Sequence, residues 1–148
     1  MKYLLPLLAV LVFPLGQVAA QPDLQRSHIE VNLPPQEVFE SYLRRDLLGY
    51  FNRAATQTAT AVESRPLRNG PTQSGTSYPK FYIWVKVYAG TTVQNEGAVR
   101  VAAVERTHFD VTDFLSKSNI QANPSEVGGI FPAALVPAIL ELAGAPQR

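Results

Sequence analysis

The sequence predicts an α+β fold: an antiparallel sheet curled around or packed on one long helix, with a short apolar helix at the C-terminal end. Three observations predict it. Residues 36–54 repeat apolar side chains at helical spacing, residues 80–111 hold two alternating apolar–polar runs joined by a turn, and residues 131–143 are apolar but for Glu141. Strands and helices do not alternate as parallel βαβ units would require, so the strands are expected to pair antiparallel.

The chain opens Met1-Lys2-Tyr3, runs almost wholly apolar from Leu4 to Leu15, and reaches Val18-Ala19-Ala20 before Gln21-Pro22. A short positive region, an apolar core and small residues at the cut form a secretory signal peptide, expected to be cleaved after Ala20. The apolar run is shorter than the roughly 20 residues of a membrane span, and Pro6 and Pro14 interrupt it. A secreted or periplasmic protein, with no stable membrane anchor after cleavage, is the expectation. Removing residues 1–20 from the 148 leaves residues 21–148 as one domain.

Lys2 is the only ionised side chain lost with the signal, so 12 Lys and Arg then stand against 12 Asp and Glu. A neutral chain does not point to nucleic acid, whose binders carry a clear positive excess. Cysteine is absent, which excludes disulfides and a thiol nucleophile. The serines have no G-x-S-x-G turn around them, and Gly128-Gly129 lacks the Lys-Ser/Thr of a phosphate loop. With only His28 and His108, a zinc site would need both and a carboxylate, so no metal or other cofactor is expected.

Within the domain, Ile29, Val31 and Leu33 alternate with His28, Glu30 and Asn32, which predicts a first strand ended by Pro34-Pro35. The prolines and then Glu37 and Glu40 suit a helix start. Phe39, Leu43, Leu47, Tyr50, Phe51 and Ala54 share one face of that helix, which Gly49 is expected to interrupt. The Thr, Ala and Val of 56–65 lean to strand, and 66–79, rich in Gly, Pro, Ser and Thr, to a long loop. Lys80 to Tyr88 alternates strictly, 89–97 is read as a turn region, and Ala98 to Val111 as the returning strand. A last helix has Phe131, Leu135, Ile139 and Leu142 inward, Pro137 as a kink and Gly144 past its end.

Such an architecture resembles rolls of the cystatin and nuclear-transport-factor types. The opening strand, Pro34-Pro35 and the Val38-Phe39 helix are also similar to the start of helix-grip lipid-binding domains, a short resemblance from which no activity is carried over.

Two residue sets carry candidate chemistry. Lys80, Tyr82, Trp84, Lys86 and Tyr88 form the outer side of the hairpin, and if paired residue numbers sum to about 188, Arg106 lies beside Tyr82 and His108 beside Lys80. Aromatics interleaved with cations suit a protein or glycan partner. The second set is Glu105, His108, Asp110 and Asp113; His108 and Asp110 on one strand face, about 7 Å apart, could act as an oriented general base. The expected function is an exported noncatalytic binding or inhibitory module of the bacterial envelope or extracellular space, using the hairpin face. A small hydrolase or isomerase built on His108 and Asp110 is the alternative, and a lipid carrier the third.

Overall fold

The computed structural model describes residues 29–53, 55–73 and 77–146. The expected signal peptide, residues 1–20, lies outside them. Among the described residues no helix is long and apolar enough to cross a membrane.

Residues 29–32 form a helical turn, where the sequence predicts a strand. The Leu33 N–H donates to the Ile29 carbonyl at 3.1 Å, and while Leu33 packs on the core as expected, the two positions before it are reversed, with Val31 62% exposed and Asn32 buried. The Asn32 side chain explains this, because its Oδ1 accepts from the Glu105 N–H at 3.3 Å while its carbonyl accepts from Arg106 N–H at 3.0 Å. A polar residue that satisfies main-chain donors inside the fold outranks apolar alternation.

Helix α1, Gln36–Asn52, begins after Pro35 and runs unbroken through Gly49. Leu43, Leu47 and Phe51 recur every four residues and are its buried stripe. Asn52 then clamps the chain that leads into the sheet, its amide exchanging hydrogen bonds with the main chain of Ala59 at 2.7 and 3.2 Å.

The sheet has four antiparallel strands in sequence order: β1 (Ala61–Pro66), β2 (Lys80–Ala89), β3 (Thr92–Val104) and β4 (His108–Ser116). Gly90-Thr91 alone joins β2 to β3, with Gly90 at φ 60°, so the expected nine-residue turn region is mostly strand. A glycine with positive φ first in a two-residue loop is the II′ arrangement, whose twist matches the strands it joins. The expected single return strand is two strands, β3 and β4, joined at 105–107, where Glu105 and Arg106 have φ 48° and 65°. Neither residue is glycine or asparagine, and Asn32 and Arg45, whose Nη2 donates to the Thr107 carbonyl at 2.9 Å, hold this turn.

Both sides of the sheet are covered. On the first, α1 packs against Val62, Ile83, Val85, Val87, Val99, Val101, Ala103 and Phe109. Phe39 meets Phe81 and Phe109 edge-on at 5.2 and 4.9 Å. The second side receives the C-terminal segment: α2 (Lys117–Ala122), a 3-10 turn at Pro124–Glu126, α3 (Val127–Ile130), a second 3-10 turn at Ala133–Leu135 and α4 (Val136–Ala143). Its Ile120, Val127, Phe131, Leu135 and Ile139 form one core with Tyr82, Trp84, Ala98 and Leu115. Pro137 sits in the first turn of α4, where its missing N–H costs nothing, and so does not kink the helix. Gly144, in the left-handed region, closes it. The α+β class and the antiparallel sheet are as the sequence predicts; the second helical layer is larger than the single short helix expected.

Candidate functional site

The outer side of the hairpin is the side that the C-terminal segment covers. Trp84 is 4% exposed and Tyr82 6% exposed. Tyr82 meets Phe131 with ring centroids 6.2 Å apart, and its hydroxyl is 2.8 Å from Thr72 Oγ1. Lys80, Lys86 and Tyr88 remain half-buried at the two ends of the strand. Paired numbers on β2 and β3 sum to 182, from Lys80 opposite Ala102 to Val87 opposite Asn95. Arg100, not Arg106, is therefore the neighbour of Tyr82. Arg106 lies in the β3–β4 turn, and His108 on β4 pairs with Val104, away from Lys80.

A cleft of about 490 Å³ lies on this side, lined by Glu63, Arg65, Trp84, Lys86, Glu96 and Lys117 together with Ser64 and Leu142. Two of the sequence-predicted residues, Trp84 and Lys86, belong to it. Register explains the charges: Glu63 pairs with Lys86 across β1 and β2, and Lys86 with Glu96 across β2 and β3. Lys117, at the start of α2, reaches back to the same carboxylate. Charges of alternating sign thus run across the sheet.

Glu96 is the centre of the row. Its Oε1 accepts from the Trp84 indole N–H at 3.3 Å and lies 3.9 Å from Lys86 Nζ, while Oε2 accepts from Lys117 Nζ at 3.3 Å. The buried indole thereby gains the polar partner that its N–H needs. Tyr88, beside the row, has its phenol pKa raised by burial first, then by its hydrogen bond to Glu63 and the negative charges of Glu63 and Glu96. Three cations against two carboxylates leave the cleft with one net positive charge, and each lysine keeps ammonium donors for a ligand.

The second candidate set is dispersed. His108 Nε2 is 3.7 Å from Asp110 Oδ1, and its Nδ1 is 2.8 Å from Thr107 Oγ1, on an edge strand where the two side chains are 41% and 62% exposed. Asp113 is instead engaged with Arg100, whose Nε donates to Oδ2 at 2.6 Å and whose Nη1 donates to the Ile130 carbonyl at 3.1 Å. That pair fastens the C-terminal layer to the sheet. Glu105 is in the turn. No group of three or more His, Cys, Asp or Glu suited to a metal ion occurs among the described residues.

No protein-family model, curated protein or solved structure matches this chain. The cleft is therefore read from its own chemistry. Sequence reasoning missed Glu63, Arg65, Glu96 and Lys117, because Glu96 fell in the supposed turn and the others lie on strands or helix ends without apolar marking. Gly90 followed by a Thr-Thr-Val run was the available signal of a tight turn, but that turn alone sets Glu96 opposite Val85, and the bulge between Val87 and Tyr88 supplies the one-residue shift that brings it opposite Lys86.

Proposed function

We propose that the chain is an exported, noncatalytic binding module that takes a protein or glycan partner in the charged cleft bordered by Lys86, Glu96 and Lys117. The observation that carries the reading is the polar arrangement itself: an open cleft on one side of a rigid sheet, with cations held in place by a central carboxylate and a buried indole as part of its wall. Positioned charges on a fixed scaffold suit recognition of a polar ligand with an anionic group. The aromatic residues contribute by holding the wall and Glu96, not as exposed anchors, since Trp84 and Tyr82 are buried. A hydrolase or isomerase would have to work from the His108–Asp110 pair and the Thr107 hydroxyl beside it, whose exposure on an edge strand leaves a reacting group in water rather than in a closed site. Lipid carriage would need an enclosed cavity; Leu43, Leu47, Phe51 and the valines opposite them pack the middle of the space between α1 and the sheet, and the cleft of about 210 Å³ beside Phe39, Leu43, Phe81 and Ile83 is open to solvent.

The test is retention of envelope extract on the immobilised protein, compared with Lys86→Gln/Lys117→Gln. The wild type is expected to retain a component that the double variant loses by about tenfold or more, as removal of two positioned charges would require. Equal retention by both, or none by the wild type, would overturn the reading.

A further inference from the structure

The sheet has two edges, and they are not alike. On β4 the register shifts between Arg100 and Val101, because Thr112 is an extra residue between Val111 and Asp113. A bulge of this kind twists an edge away from further pairing. Strand β1 is regular over its six residues, and Glu63, Ser64, Arg65 and Pro66 are exposed.

The alternation of an antiparallel ladder fixes which main-chain groups of β1 face out. Leu67 N–H donates to the Tyr82 carbonyl at 2.9 Å, so Arg65, Glu63 and Ala61 share their bonds with β2. Val62, Ser64 and Pro66 direct theirs to the open edge. Pro66, at the end of the strand, has no N–H to offer there, so a strand laid against this edge is held by the main-chain groups of Val62 and Ser64 and by the Pro66 carbonyl.

We propose that β1 pairs antiparallel with β1 of a second copy of this chain, about a two-fold axis at Ser64, joining the two sheets into one. Charge selects both the occupant and the register. With Ser64 opposite Ser64, Glu63 of each copy faces Arg65 of the other on the cleft side. Sliding by two residues sets Glu63 against Glu63, or Arg65 against Arg65, and like charges directly opposite are unfavourable. The row Lys117, Glu96, Lys86, Glu63 alternates in sign and ends at the open edge on a carboxylate; the next strand would supply Arg65, for which the described residues show no ion pair. Two clefts would then lie side by side across the axis. The pairing stands apart from the ligand reading of the cleft, and its test needs no ligand.

The experiment is sedimentation velocity of the purified protein at tens of micromolar, with Glu63→Arg, Arg65→Glu and Ser64→Pro. The wild type is expected as a dimer. Each charge variant alone should self-associate about tenfold or more weakly, since it places like charges at both cross-strand positions, whereas an equimolar mixture of the two restores every unlike pair and should dimerise as the wild type does. Ser64→Pro removes an N–H that faces outward, so it should weaken the dimer while circular dichroism and thermal unfolding stay near wild type. A monomeric wild type, a dimer indifferent to the charge variants, or a mixture no more associated than its components would each overturn the proposal.

Discussion

Asn32 does at one position what its neighbours in sequence do not announce. A buried amide oxygen and the carbonyl of the same residue receive the N–H groups of Glu105 and Arg106, the two residues with positive φ in the β3–β4 turn. Left-handed conformations of such side chains are costly and persist where the surroundings hold them. Asn32→Ala would remove the partner of the Glu105 N–H in a turn at the surface, and is expected to lower unfolding stability by about 0.5 to 1.5 kcal/mol. Urea unfolding measures it; a loss below about 0.5 kcal/mol would mean that the turn holds itself. Trp84 shows a different residue-scale effect. Two lysines on its strand face suggest water, but both sit toward the strand's ends, at residues 80 and 86, so the indole between them can be sealed.

At the scale of elements, periodicity made α1, β2 and the class of the fold legible. The stripe Leu43, Leu47, Phe51 and the row Ile83, Val85, Val87 are buried on the side that their spacing indicates. Boundaries were less legible where turns are tight or tertiary contacts dominate. Gly90-Thr91 and the turn at 105–107 were hidden, because a two- or three-residue loop leaves little compositional trace between long strands. Gly97 belongs to the same scale. It pairs with Ser116 where β4 runs into α2, and a Cβ there would fall on the Leu115 carbonyl oxygen. Main chain cannot step aside as a flexible side chain would, so Gly97→Ala is expected to cost about 1 to 3 kcal/mol through displaced strands. Unchanged thermal unfolding of that variant would show that β3 and β4 separate there without penalty.

For the molecule as a whole, the decisive feature is that the sheet is covered on both sides. Sequence alone placed one side against the long helix and left the other open to a partner, since residues 117–143 read as a connection and one helix. Their helical pieces are each too short to show a clear amphipathic period, and only their packing on Tyr82, Trp84, Ala98 and Leu115 reveals a layer. The candidate site was legible through Trp84 and Lys86 alone; Glu63, Arg65, Glu96 and Lys117 join them through strand register and the start of α2. That covered side is decisive, because it removes Trp84 and Tyr82 from the surface and leaves the charged cleft as the candidate site on this side of the sheet. Trp84 is the only tryptophan, so its fluorescence reports the setting directly. A blue-shifted emission maximum that added iodide leaves almost unquenched is expected; a red-shifted maximum, quenched by iodide as free indole is, would contradict a sheet covered on both sides.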